Sequence, residues 1–321
     1  MATLRKGAKP QHTPGPEHVM NFPILDLGYP PASRRTVSIV DTDVHVYGVD
    51  EVAGSSLPIG IVIISHGRCN SAKNMHAMAS GLLGELRRLE RESATAKHPR
   101  RKVRDYVVAT IDGRNHGQRT KYRERNLSYD HNPLHLMDMA STIEGGVHDH
   151  RLLLDFLPAY LFPRDERVVD EFMAVGVSMG GHTVWRLLRE EPRVRIAVPI
   201  ISMSPEALGP NLVFRASQYG LDDPVYTAQV RRYLETPSVP GVYKGKKILS
   251  IHGGKDDLLP LDKSQPYLDV VIRENQANEV MIWVDPEAGH KISPAMVTKS
   301  AWWLWKWGFS KPVKSVSWAK L

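Results

Sequence analysis

The sequence predicts an α/β domain with a mostly parallel central sheet of about eight strands and helices on both faces. Three observations carry this. Short runs of strand length recur along the chain, separated by segments with helical spacing. One of them, Ile59-Gly60-Ile61-Val62-Ile63-Ile64, is apolar throughout, as a strand covered on both faces must be. Another, Met173-Ala174-Val175-Gly176-Val177, leads into Ser178-Met179-Gly180-Gly181-His182 and then a helix-like segment from Thr183 to Glu190.

The 321 residues, 42% of them hydrophobic, suffice for one large α/β domain with a sizeable core. No segment is long and apolar enough to cross a membrane. The single cysteine, Cys69, excludes a disulfide within the chain and fits a reducing compartment. Behind the charges of Met1-Ala2-Thr3-Leu4-Arg5-Lys6-Gly7 there is no apolar core, so the start does not read as a secretory signal. Net charge is +7, and much of the excess lies in residues 97–104. That run lacks interleaved aromatics and any nucleic-acid module, so it reads as a solvated loop and no nucleic-acid partner is expected.

In chain order, residues 1–33 are rich in proline, glycine and polar groups and read as a tail or extended lead-in. Residues 36–40 and 44–49 alternate like paired strands around the turn Asp41-Thr42-Asp43. The apolar strand at 59–64 ends in Ser65-His66-Gly67-Arg68, and Met75, Met78, Leu82, Leu83, Leu86 and Leu89 then form a helical stripe. A strand at 106–111 follows, then a helix over 134–161 broken near Pro158. Further strands are expected at 172–177, 195–201, 247–251 and 280–284, although Pro199 argues against an ideal central strand. A tryptophan-rich helix carrying Trp302, Trp303, Trp305 and Trp307 closes the domain by core packing.

The Gly176-x-Ser178-x-Gly180 pattern between a strand and a helix predicts a nucleophile elbow, with glycines where a side chain would collide across the turn. A serine needs a base, and the base a group to orient it. His290 lies in the loop after the last strand, and Asp256 in the loop after the strand before it. Loops at the carboxyl ends of parallel strands share one rim, so these residues can meet Ser178 there. Asp257 is the rival acid. The oxyanion donors expected are the amides of Met179 and of Arg68, with Gly67 permitting close approach. Cys69 reads as a packing residue and His182 as a buried, satisfied histidine. His148 and His150 face different ways on a helix, so no metal site is expected, and no cofactor.

Taken together, His66-Gly67, Gly176-x-Ser178-x-Gly180, His252-Gly253-x-x-Asp256 and Gly289-His290 resemble the α/β-hydrolase superfamily over residues 36 to 309. The likeness is greatest to small esterases of the dienelactone-hydrolase and prolyl-oligopeptidase-like branches. No propeller domain accompanies it, and the His-Gly-Gly-Gly loop of hormone-sensitive-lipase-type esterases is missing. The resemblance favours Asp256 over Asp257. It makes His116, in Asp112-x-x-x-His116-Gly117, architectural, and it implies a lid over 204–243, where Pro210, Phe214, Tyr219, Tyr226 and Tyr233 stand. The domain then spans 34–310, with a mobile tail over 311–321. The resemblance implies an esterase acting on a small-molecule ester through an acyl-enzyme. An acyl-CoA thioesterase and a non-catalytic binding protein of this fold are the alternatives. The ending Ala319-Lys320-Leu321 has the small-basic-leucine form of a peroxisomal address, so an import receptor is an expected partner if the source is eukaryotic; otherwise a cytoplasmic protein is expected.

Overall fold

The computed structural model describes residues 22–220, 227–237 and 239–313. In chain order the strands are β1 (Arg34–Ile39), β2 (Thr42–Tyr47), β3 (Ile59–Ser65), β4 (Arg100–Lys102), β5 (Asp105–Ile111), β6 (Val169–Val177), β7 (Val194–Ile200), β8 (Lys247–Gly253), β9 (Val280–Asp285) and β10 (Ser310–Pro312). The helices are α1 (His76–Ser93), α2 (His135–Leu161), α3 (Met179–Glu190), α4 (Pro205–Gln218), α5 (Ala228–Leu234), α6 (Leu261–Arg273) and α7 (Pro294–Leu304). Eight strands form one sheet in the order β1-β2-β5-β3-β6-β7-β8-β9, and only β2 runs against the rest.

Strand alternation builds two apolar layers. Val62, Ile64, Val175 and Val177 face α1 and α7, where Met78, Leu82, Met296 and Trp303 meet them. Ile61, Ile63 and Ala174 face the other way, onto Leu153 and Leu157 of α2 and Val184 and Trp185 of α3. β3 is buried along its whole length because helices cover both faces, which is why it reads as an unbroken apolar run. A third cluster lies at one end of the sheet, where α4 and the start of α2 meet Met179 and Leu259.

Several segments differ from expectation. The basic run contains β4, which pairs with β10, and Arg100 donates to the Ser310 hydroxyl at 2.8 Å. Its partner strand lies more than 200 residues away, so no local pattern announces it. Residues 311 and 312 are therefore held in a ladder; Tyr226 and residues 314–321, with the Ala319-Lys320-Leu321 ending, lie outside the described residues. α2 continues through Pro158 to Leu161, since a proline in the last turn forfeits one bond only. Pro199 sits inside β7 between two parallel neighbours, and the pairing with β8 lapses around it, resuming at Ile200 with Ile251. The β1–β2 turn falls at Val40 and Asp41, with Val40 at φ 55°. Part of the expected lead-in is anchored to the body: Leu25 and Ala32 are buried and the Tyr29 hydroxyl donates to Glu85 at 2.6 Å. Among the tryptophans, Trp303 and Trp305 are buried, and Trp302 and Trp307 lie half-buried with the Lys306 ammonium over both rings.

Candidate active site

The site begins with a turn that only small residues allow. Ser178 stands between β6 and α3 at φ 54°, ψ −113°, a left-handed conformation that costs a non-glycine residue about 1–3 kcal/mol. Its N–H donates to Ile200 O at 2.9 Å, which anchors the turn to the end of β7. A Cβ at Gly176 would overlap the Gly180 carbonyl, and one at Gly180 would overlap the carbonyl of Ser65. Both glycines are thus required by backbone packing, and the second brings the loop after β3 against the elbow.

His290 and Asp256 are held by a seam between the loops after β8 and β9. Gly254 donates to Asp285 O at 2.7 Å and Lys255 to Ala288 O at 2.8 Å. Gly253 lets the Ala288 and Gly289 carbonyls lie against it, where a Cβ would come within 2.5 Å of each. Ser178 Oγ lies 2.9 Å from His290 Nε2, and His290 Nδ1 lies 2.8 Å from Asp256 Oδ2. The other oxygen, Oδ1, accepts the N–H groups of Leu258 at 3.0 Å and Leu259 at 2.9 Å. An aspartate held this way keeps Nδ1 protonated, leaving Nε2 bare to accept from the serine hydroxyl. Asp257 is exposed, and the His290 Nδ1 contact goes to Asp256.

Met179 opens α3, where the first N–H groups have no partner inside the helix. Opposite it, Arg68 and Cys69 both hang on the Asn126 carbonyl, Arg68 through Nη1 at 2.6 Å and Cys69 through Sγ at 3.3 Å. His66 Nε2 accepts the Gly113 N–H at 2.9 Å, so Nδ1 donates to Gly67 O at 2.7 Å, and its ring packs on His116 at 5.4 Å. Asp112 ties the same loops by accepting the N–H of Ala72 at 2.7 Å and of Gln118 at 2.8 Å. Burial pushes His116, His182 and His252 down to about 4, so all three are neutral near pH 7. His150 turns inward to Ser65 Oγ at 2.7 Å, while exposed His148 faces Glu144. No group of histidine, cysteine and carboxylate among the described residues could hold a metal ion.

Of the aromatic residues between β7 and β8, Tyr233 donates to Glu144 of α2 at 2.8 Å, Phe214 is exposed, and buried Tyr219 packs on Tyr129 at 5.7 Å. Sequence reasoning missed Tyr129 and Arg215. Arg215 is buried on α4 with its guanidinium 5.6 Å from the Tyr129 ring centroid. The available signal was a lone cation on an apolar helical stripe, since Leu208, Leu212, Arg215 and Ala216 share one face.

No family model matches the chain, and no curated protein sequence matches it. Solved structures do. TT1662 from Thermus thermophilus superposes with a TM-score of 0.60 at 18% identity, covering 85% of this chain and 96% of that one. Est1E from Butyrivibrio proteoclasticus, solved with ferulic acid bound, gives 0.53 at 15%, covering 83% of this chain and 96% of that one. The acylaminoacyl peptidase of Pyrococcus horikoshii gives 0.52 at 14% over 85% of this chain, which spans only 40% of the peptidase. With the strand order described above, these likenesses define the α/β-hydrolase fold.

Proposed function

We propose that the protein is a serine hydrolase that cleaves carboxylic esters through an acyl-enzyme. The observation that carries this reading is the unbroken relay from Ser178 Oγ through His290 to Asp256, at 2.9 and 2.8 Å, on a strained elbow. Ser178 Oγ attacks the acyl carbon while His290 Nε2 takes its proton, and Asp256 steadies the imidazolium. The amides of Met179 and Arg68 hold the oxyanion. His290 returns the proton to the alcohol oxygen as the C–O bond breaks. Water then gives a proton to His290, attacks the acyl-enzyme and releases the carboxylic acid, and Ser178 regains its hydrogen. Such an intermediate predicts a rapid burst of p-nitrophenol from a p-nitrophenyl ester, approaching about one equivalent per chain. No burst and no steady release would refute the reading.

An acyl-CoA thioesterase is the second reading, favoured by one feature. Arg114, Arg119, Lys121 and Arg125 line a cleft that also includes Asn126, the residue gripping Arg68. Arg114 and Arg119 share Asp149, and Arg125 faces Asp138, which leaves Lys121 as the cleft's cation outside an ion pair among the described residues. Relative turnover of acyl-CoA and p-nitrophenyl esters of one acyl length separates the two readings.

A further inference from the structure

The ladder between β4 and β10 sets like charges against each other. Arg101 and Lys311 are Cα partners across it and both are exposed, an arrangement that destabilises a strand pair unless something offsets it. Arg100 turns onto the body and commits its donors to Ser310 Oγ at 2.8 Å, Ser310 O at 3.1 Å and the Lys306 carbonyl. That contact joins the ribbon to a layer of three indoles at the end of α7 and just beyond it. Trp303 packs on Trp302 at 5.8 Å and on Trp307 at 5.9 Å. The Lys306 ammonium stands 4.8 Å from the Trp307 ring centroid and 5.3 Å from that of Trp302, and the Lys299 ammonium 4.4 Å from Trp302. Burial and the charge of Arg100 both lower the pKa of Lys306.

The acids that reach this region face other cations, Glu90 meeting Lys102 at 3.4 Å and Asp170 meeting Arg104 at 2.6 Å. Arg100, Arg101, Lys299, Lys306 and Lys311 therefore stand without a carboxylate partner among the described residues. Residues 314–321 add Lys314 and Lys320 to the sequence and no acid. We propose that the ribbon and the indole layer beside it dock the protein on a bilayer surface rich in anionic phospholipid. Lipid phosphates would supply the negative charge that the chain withholds from these five cations.

Two observations favour a bilayer over a nucleic acid. A base needs an open ring face on which to stack. Here Trp302 carries the ammonium groups of Lys299 and Lys306, and Trp307 those of Lys306 and Lys247, the last at 4.8 Å. Exposed apolar groups also close the ribbon, Pro312 and then Val313, which is 47% exposed and whose N–H donates to Pro99 O at 2.9 Å. Cations beside an apolar tip and half-buried indoles suit the headgroup boundary of a bilayer. The position of the patch fixes an orientation. β4 leads directly into β5, and Lys247 opens β8, so the patch lies at the amino ends of the parallel strands. Ser178, Asp256 and His290 follow carboxyl ends. Docked in this way, the protein turns the Ser178 rim away from the lipid. The inference needs no assumption about the reaction at Ser178.

The test is co-sedimentation of the full chain with vesicles of phosphatidylcholine alone and of phosphatidylcholine with about 30% phosphatidylserine. The partition coefficient should be at least about tenfold higher on the anionic vesicles and should fall steeply as salt is raised from about 0.05 to 0.5 M. Arg101→Gln/Lys311→Gln should lower it by at least about tenfold with the urea unfolding midpoint kept. If that pair disturbs the ribbon, Lys299→Gln on α7 should still lower it by about fivefold. Equal partition on the two vesicles, no binding to either, or binding that the folded variants leave unmoved overturns the inference. Retention on poly(U) at the same salt with none on the anionic vesicles overturns it in favour of nucleic acid.

Discussion

The elbow around Ser178 and the helical segment between β7 and β8 border the same apolar cluster but are held by different means. The elbow is fixed by backbone. Its glycines are dictated by carbonyls of Gly180 and Ser65, and the Ser178 N–H is tied to β7. The α4–α5 segment is fixed by side chains reaching distant elements. Glu206 binds Arg189 at 2.6 Å and receives Tyr243 at 3.3 Å, and Tyr233 reaches Glu144. Backbone constraint lets a strained geometry persist at Ser178. Side-chain constraint leaves the α4–α5 segment open to substitution without disturbing the elbow.

Substitutions should separate the two regions, beginning with the largest effect. Ser178→Ala is expected to lower esterase kcat by at least about 10⁴-fold, with the urea unfolding midpoint nearly unchanged. Asp256→Asn should follow at roughly 10³–10⁴-fold, because the amide cannot hold the same tautomer of His290, whereas Asp257→Asn should stay within about twofold. The reverse ranking in kcat would move the acid to Asp257.

In the helical segment the effect should fall on stability instead. Glu206→Ala leaves the half-buried Arg189 without its carboxylate and the buried Tyr243 hydroxyl without its acceptor, and should cost about 2–4 kcal/mol in urea unfolding. The protein that remains folded should still react at Ser178, and loss of that reactivity would show that the two regions are not separable.

A smaller effect concerns pH. His116, His182 and His252 have folded pKa values of about 4, below the unfolded value near 6.5. Between those limits the unfolded chain binds more protons, so stability is full above about pH 6.5 and is lost as pH falls. The share of these three in the unfolding free energy should drop by about 2–4 kcal/mol from pH 7.5 to 5.5, and each histidine replaced by a neutral polar residue should shrink that slope. An unchanged slope in all three would mean that they are not held neutral.

The same division explains what the chain disclosed before it was folded. The elbow, the apolar β3 and the loops carrying Asp256 and His290 are written locally, in glycine spacing and in runs of a single period. Their meeting follows from parallel strands that open their loops on one rim. β4 depends on a partner at the far end of the chain, and neither strand has an alternation of its own. Arg215 reads as an ordinary helical arginine until α4 packs it against Tyr129, which comes from an extended loop before α2. Pro199 argued against a central strand that tertiary burial nevertheless enforces.

The central claim, that Ser178 is a nucleophile activated by His290, is tested most directly by covalent capture. A fluorophosphonate should add to the wild-type chain in a single equivalent, and peptide mass mapping should place the adduct on Ser178. His290→Ala should slow its formation by several orders of magnitude, and Ser178→Ala should abolish it. An adduct on another residue, or none under conditions where the chain hydrolyses p-nitrophenyl esters, would contradict the account.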